Sequence, residues 1–294
     1  MNMKIALQQI QGDPERSRRI AITGGKGGTG KSMVAVALAH NLTKNKKVLL
    51  VDMDVDCPGD DLLLGLKIKK VRDVENMIPK FDLDKCIKCG RCAQVCREHA
   101  IVFVKNKNPI FISDQCTGCK ACKIVCPVGA ISETKQKIGE IFIGNKKNLT
   151  LISGRMKPGI EESSLVVNAV KKFITEKEKE YDFVIVDTAA GTHCPVIAAL
   201  LDSDCAFAVT EPTPLGAHDL DLILTLTEKL KIKTKIILNR ANIASENIIE
   251  KVAKEHQSEI IARIPYSKEI EKLYFRGKPI EHEAIQKIIE VIKK

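Results

Sequence analysis

The stretch RIAITGGKGGTGKS, residues 19–32, decides how the chain is read. Residues 19–23 are a short apolar run, 24–30 a glycine-rich turn, and 31–42 an apolar segment long enough for a helix. Within it, Gly25-Lys26-Gly27-Gly28-Thr29-Gly30-Lys31-Ser32 is a full G-x4-G-K-[ST] match in the strand, loop and helix setting that the motif requires. Glycines there let backbone N–H groups wrap phosphates, and the helix N-terminus adds its dipole. Lys31 is expected to neutralise the β/γ oxygens, and Ser32 to offer its hydroxyl to Mg2+. A chance glycine-rich turn is the bland alternative, and the agreement of strand, spacing and helix argues against it.

Outward from this loop the chain alternates strands and helices. Residues 47–52 read as a second buried strand, followed later by strand-like 149–152, a charged helix near 163–180 and the strand 183–187. Further strands are expected at 205–209, 235–238 and 260–264. Continuous apolar runs separated by helical patterns predict an α/β fold with a mainly parallel, doubly wound sheet. Such sheets bind ligands at the carboxyl ends of their strands. Those ends carry Asp52 and Asp54, then Asp187, Asn239-Arg240 and Ile264-Pro265. Taken singly, an Asp or Asn after a strand is as often a turn former.

Taken in order, these residues resemble a known class. The form K-G-G-x-G-K-[ST], with Lys26 as its extra lysine, resembles the deviant Walker A loop of the MinD, ParA, Mrp and nitrogenase iron-protein class of P-loop ATPases. The resemblance covers residues 19 to about 290. It implies ATP/ADP as cofactor and a homodimer that ATP closes, with Lys26 reaching the partner's nucleotide and Lys31 and Asp54 acting in hydrolysis. Asp54 would orient the attacking water, a role of positioning that dominates phosphoryl transfer. Asp187 would hold Mg2+ together with Ser32, and Asn239 with Arg240 would read adenine.

Eight of the eleven cysteines interrupt this pattern. Cys86, Cys89, Cys92 and Cys96 spell C-x2-C-x2-C-x3-C, and Cys116, Cys119, Cys122 and Cys126 repeat it thirty residues later, with Ala100-Ile101 mapping to Ala130-Ile131. Three thiols within seven residues suit an iron–sulfur cubane. Structural zinc more often takes two short pairs with a longer loop between them. The block resembles a two-cluster bacterial ferredoxin, departing from it at Arg97, where the second half has Pro127. That resemblance implies crossed ligation of two [4Fe-4S] clusters: Cys86, Cys89 and Cys92 with Cys126, and Cys116, Cys119 and Cys122 with Cys96. The organisation expected is a P-loop ATPase over 1–80 and 136–294, with a small α+β ferredoxin-like insert over 81–135.

Three further cysteines lie outside the tetrads. Cys205 falls in an apolar strand and reads as core. Cys57 and Cys194 flank the two switch segments, beside His193, and read as incidental thiols in preference to a third, dimer-bridging metal site. The last apolar spacing, Ile285, Ile288, Ile289 and Ile292 with Lys287, Lys293 and Lys294, is helical; packing on the sheet is preferred to membrane association.

Composition bounds the rest. The chain has 294 residues, 44% of them hydrophobic, and no apolar run approaching a membrane span. Residues 1–11 lack the apolar stretch of a secretory leader. Many cysteines without such a leader point to reduced thiols and a cytoplasmic location. The formal charge of +10 falls to about +6 once two cubanes are counted. Its lysines are scattered without interleaved aromatics, which argues against nucleic acid. The functional expectation is an ATPase that couples nucleotide-dependent dimer switching to low-potential electron transfer to a redox or iron–sulfur partner protein. The alternatives are an iron–sulfur carrier of the Mrp type and a MinD-like positioning ATPase.

Overall fold

Long uninterrupted apolar runs make strands buried on both faces, and β1 (Arg18–Thr23), β2 (Val48–Asp52) and β8 (Phe183–Asp187) are of this kind. In the computed structural model, which describes residues 17–293, they sit at the centre of a nine-stranded sheet of order β11-β10-β9-β1-β8-β2-β7-β6-β3. Residues 1–11, read for a leader, lie outside the described residues. The other strands are β3 (Lys69–Phe81), β6 (Ile131–Lys146), β7 (Leu149–Met156), β9 (Cys205–Thr210), β10 (Lys233–Asn239) and β11 (Ile260–Ile264). From β11 to β7 every neighbouring pair is parallel, whereas β6 pairs antiparallel with both β7 and β3.

Helices cover both faces. α1 (Lys31–Leu42) is apolar nearly all round, so it is buried rather than amphipathic. It shares one core with α10 (Glu283–Lys293), whose Ile285, Ile288, Ile289 and Ile292 are all buried. That face is therefore spent on the sheet and not offered to a membrane, and no described helix is long and apolar enough to cross one. The opposite face carries α5 (Ser164–Thr175), α6 (Cys194–Leu200), α7 (Pro214–Lys229) and α8 (Asn247–Glu255), packed over a second core. α2 (Asp60–Leu64) and α9 (Lys268–Phe275) border the carboxyl end of the sheet.

The charged helix expected near 163–180 is shorter than that: α5 ends at Thr175, and a 3-10 turn covers Glu178–Glu180. β3 and β6 were not expected at all. They form a long hairpin whose register runs from Lys69 opposite Ile143 to Phe81 opposite Ile131. The cysteine segment lies between its two strands and contains α3 (Arg91–Val95), α4 (Ala121–Ile124) and the short pair β4 (Ile101–Val102) and β5 (Ile110–Phe111). The hairpin is exposed along much of β3 and is lined by ion pairs: Lys70 and Lys137 each bridge Asp73 and Glu140, and Lys135 meets Glu75 at 2.8 Å.

Candidate functional site

Strand register builds the site. Ile22 of β1 pairs with Asp187 of β8, Asp187 with Asp52 of β2, and Asp52 with Ser153 of β7, so the two aspartates end adjacent parallel strands. The glycine loop leaves the neighbouring end of β1 and turns into α1 at Gly30, whose φ of 94° is left-handed. A Cβ on Gly30 would also lie 2.4 Å from Asn239 Nδ2, so glycine is required twice over. Gly25 is similarly constrained, because a Cβ there would lie 2.4 Å from the Asp219 carbonyl oxygen. Asn239, ending β10, donates from Nδ2 to the Thr29 carbonyl at 2.8 Å and accepts the Arg240 N–H at 3.0 Å. Its amide thus braces the loop, and the Arg240 guanidinium is paired with Glu211.

A cavity of about 420 Å3 opens over this loop, lined by Gly27, Gly28, Gly30, Lys31, Ser32 and Asp54 on one side and by Asn239 and Arg240 on the other. Its far wall is aromatic, formed by Tyr266 together with Tyr274 and Phe275 from α9. Lys31 Nζ donates to the Lys26 carbonyl at 2.9 Å. Burial lowers the Lys31 ammonium, against which Asp187 and Asp54 pull it back up. Burial likewise raises Asp54, with the Cys57 N–H and Lys31 acting to hold it down. Asp187 is pushed up to about 7 by burial, with the Ser32 hydroxyl and Lys31 opposing the rise. A buried carboxylate with one oxygen lacking a hydrogen-bond partner, beside a lysine and a hydroxyl, is suited to receiving a divalent cation. The residues present therefore fit a Mg2+–nucleotide: Ser32 and Asp187 would hold the ion, and the loop N–H groups and Lys31 the phosphates.

Of the residues expected from the sequence, Lys31, Ser32, Asp54, Asn239 and Arg240 line the cavity, and Asp187 stands against Ser32 and Lys31, while Lys26 is not among the lining residues. Cys57 and Cys194 are exposed beside the switch segments, and among the described residues neither belongs to a set of three metal-ligating groups. Cys205 is half-buried at the start of β9, its thiol pushed up to about 11 by burial, in keeping with a packing role. Sequence reasoning overlooked Asp60, which is fully buried beside Asp52 and Asp187. It also overlooked the aromatic wall.

The eight remaining cysteines gather at the hairpin tip in two groups. A pocket is lined by Cys86, Cys89, Cys92 and Cys126. In the other group, Cys122 stands within electrostatic reach of Cys116, Cys119 and Cys96, and burial first, then these neighbours, lift its thiol to about 11. Backbone N–H groups already point at sulfur: Gly118 to Cys116 Sγ at 3.4 Å and Ala130 to Cys126 Sγ at 3.3 Å. The second loop is seated on the arm by Asn76 Nδ2, which donates to the Cys116 carbonyl at 3.0 Å.

Known proteins resemble this chain along nearly its whole length. The family model described as the CobQ/CobB/MinD/ParA nucleotide binding domain matches residues 20–280. An uncharacterized protein of Methanocaldococcus jannaschii is 37% identical over 93% of this chain and 95% of its own length. The septum site-determining protein MinD of Buchnera aphidicola is 24% identical over 85% of this chain and 76% of its own. Among solved structures, MinD of Pyrococcus horikoshii complexed with Mg-ADP superposes with a TM-score of 0.59 at 21% identity, covering 95% of this chain and 96% of that one.

Proposed function

Because the chain belongs to the CobQ/CobB/MinD/ParA nucleotide-binding family, whose MinD and ParA members are P-loop ATPases, we propose that it hydrolyses ATP as a homodimer and carries two [4Fe-4S] clusters at the tip of its β3–β6 arm. ATP closes the dimer, with Lys26 of each chain reaching the other's nucleotide and Asp54 orienting the attacking water. The clusters supply one-electron chemistry when bound, and nucleotide state governs which partner protein the arm meets.

The observation that carries the iron–sulfur part is the grouping of the cysteines. Each group draws three thiols from one motif and one from the other, which is the crossed pattern of a two-cluster ferredoxin. A single zinc ion, with Zn–S bonds of about 2.3 Å, needs sulfurs roughly 3.8 Å apart. Among the described residues no three cysteine sulfurs lie within 4.8 Å of one another. Complete four-thiolate sets also favour resident clusters over cargo, which a carrier must release.

Anaerobic preparation of the full chain tests this reading. About eight irons per chain, with the spectroscopic signature of cubanes, are expected; a content near four or zero overturns the two-cluster assignment. Capture with the hydrolysis-blocked Asp54→Ala variant in ATP then identifies the partner. A redox enzyme supports gated electron transfer, and an apo acceptor that gains a cluster replaces it with a carrier.

A second reading has its own support. The MinD proteins among the relatives are named for septum siting, and on the family resemblance alone a positioning ATPase is the simpler function. Burial of the α10 isoleucines argues against the C-terminal helix as its membrane contact. Protein that holds no iron even when prepared anaerobically, yet has full ATPase activity, would favour this second reading over the first.

A further inference from the structure

Asp60 is the least explained polar residue in the fold. It opens α2 with 0% exposure, and neither of its carboxylate oxygens has a hydrogen-bond partner among the described residues. Asp187 Oδ1, also buried, is likewise unpartnered. These groups are not scattered: Asp52, Asp60 and Asp187 bring ligand oxygens within 4.8 Å of one another.

The backbone holds them there. Asp52 and Asp187 are register partners, and the chain after Asp54 loops back so that the N–H groups of Gly59 and Asp60 donate to Asp52 Oδ2 at 3.0 and 3.3 Å. Asp60 is thereby fixed over the pair with its side chain facing it. The groups acting on it are Asp187, Asp52, Asp61 and Asp54, all acidic. Arg155 does not relieve them, because it is bound to Asp61 at 3.0 Å and stacked on Phe142 at 4.8 Å.

Buried carboxylate oxygens without a donor, here both of Asp60 and Oδ1 of Asp187, are costly unless a cation or a shared proton lies between them. Oxygen ligands of one hard divalent ion lie at most roughly 4.0–5.2 Å apart, twice the Mg–O or Ca–O distance, and these oxygens lie within 4.8 Å of one another. We propose that Asp52, Asp60 and Asp187 form a site for a hard divalent cation, filled without nucleotide and sharing Asp187 with the Mg2+ that a nucleotide brings to Ser32. All-oxygen donors select Mg2+, Mn2+ or Ca2+ over softer metals. Three carboxylates exceed the charge of one such ion by one, and Lys31 beside Asp187 faces that excess. The ion would tie the segment between Asp54 and Asp60 to the end of β8, so that the switch carrying Asp54 is anchored before nucleotide arrives. This inference does not depend on the iron–sulfur reading.

Mn2+ is the probe, counted by its paramagnetic resonance on the full anaerobic chain stripped of nucleotide. One bound Mn2+ per chain is expected without nucleotide and two with ADP. Asp60→Asn, which keeps the side chain's shape, should abolish the nucleotide-free equivalent and keep the ADP-dependent one. Asp60→Ser is read beside it, so that poor folding of one variant leaves the assignment decidable. No Mn2+ bound before ADP is added would mean that the carboxylates share a proton and would sink the proposal. Nucleotide-free binding that survives in both variants would overturn it equally.

Discussion

Carboxylates behave in opposite ways at the two ends of this molecule. At the carboxyl end of the parallel sheet, Asp52, Asp60 and Asp187 are held above the usual carboxylate range, burial being the largest cause in each. On the β3–β6 arm, Lys120 and Lys123 hold Glu133 down at about 2, and Lys137 with Lys70 lowers Asp73 and Glu140. The first set lies in a core that water does not reach; the second is exposed and relies on lysines within hydrogen-bond distance. One end is thus built by exclusion of water and the other by pairing in water, so they should fail under different conditions.

The largest expected difference is the response to chelation. The cysteine tip has Ile101, Cys122 and Ile131 as the buried members of its own apolar cluster, too few to hold a fold unaided. On the proposed two-cluster reading, stripping iron should expose residues 82–130 to protease, with cleavage at least about ten-fold faster, while ADP binding persists. Loss of nucleotide binding along with the tip would show that the two ends are one cooperative unit. Gly30→Ala attacks the other end. A Cβ there meets Asn239 at 2.4 Å on a backbone of φ 94°, so about 2–3 kcal/mol of stability and most nucleotide affinity should go, with iron content unchanged.

How much of this was legible in the sequence follows the same division. β1, α1, β2 and β8 were readable because burial on all sides demands unbroken apolar runs, and the glycine loop because phosphate contact and left-handed backbone demand glycine. Asp187 and Asn239 were found because they end such strands. β3 and β6 escaped notice because an exposed ladder of Lys, Asp and Glu carries no period of apolar residues and reads as linker. Asp60 was passed over because an acidic pair before three leucines looks like the solvated first turn of a helix; only the loop back to Asp52 buries it. Tyr266, Tyr274 and Phe275 reach the nucleotide cavity from a strand end and helix far along the chain, a juxtaposition no local pattern announces.

Opposite shifts give opposite pH dependences. A carboxyl raised in the folded state keeps a proton that the unfolded chain releases, so its contribution to stability is lost as pH rises from about 4 toward 7, the value to which Asp187 is raised. In protein free of nucleotide and divalent metal, the melting midpoint should therefore fall between pH 5 and 7, inside the window that the Asp187 rise sets. Asp60→Asn should flatten that fall, and saturating Mn2+ should abolish it. The lowered arm carboxylates act with the other sign, contributing above their unfolded values and losing that contribution only as pH falls toward about 2. A midpoint that rises from pH 5 to 7 would mean that the buried triad is ionised at no cost, and the contrast would collapse.

The smallest effect belongs to the arm's own lysines. Lys137 Nζ lies 2.7 Å from Asp73 and 2.5 Å from Glu140, yet Lys70 reaches the same two carboxylates at 3.3 Å each. Exposed pairs gain little because water and salt screen them and long side chains must be ordered to make them. Lys137→Ala should therefore leave the melting midpoint of the iron-loaded protein where it was. Its effect should surface only after chelation at low salt, when the strand ladder and its charges alone hold the arm, as faster protease cleavage within β3 and β6. A clear drop in the midpoint of the loaded protein would instead place the arm in the cooperative core and give its charges a structural weight that their exposure does not support.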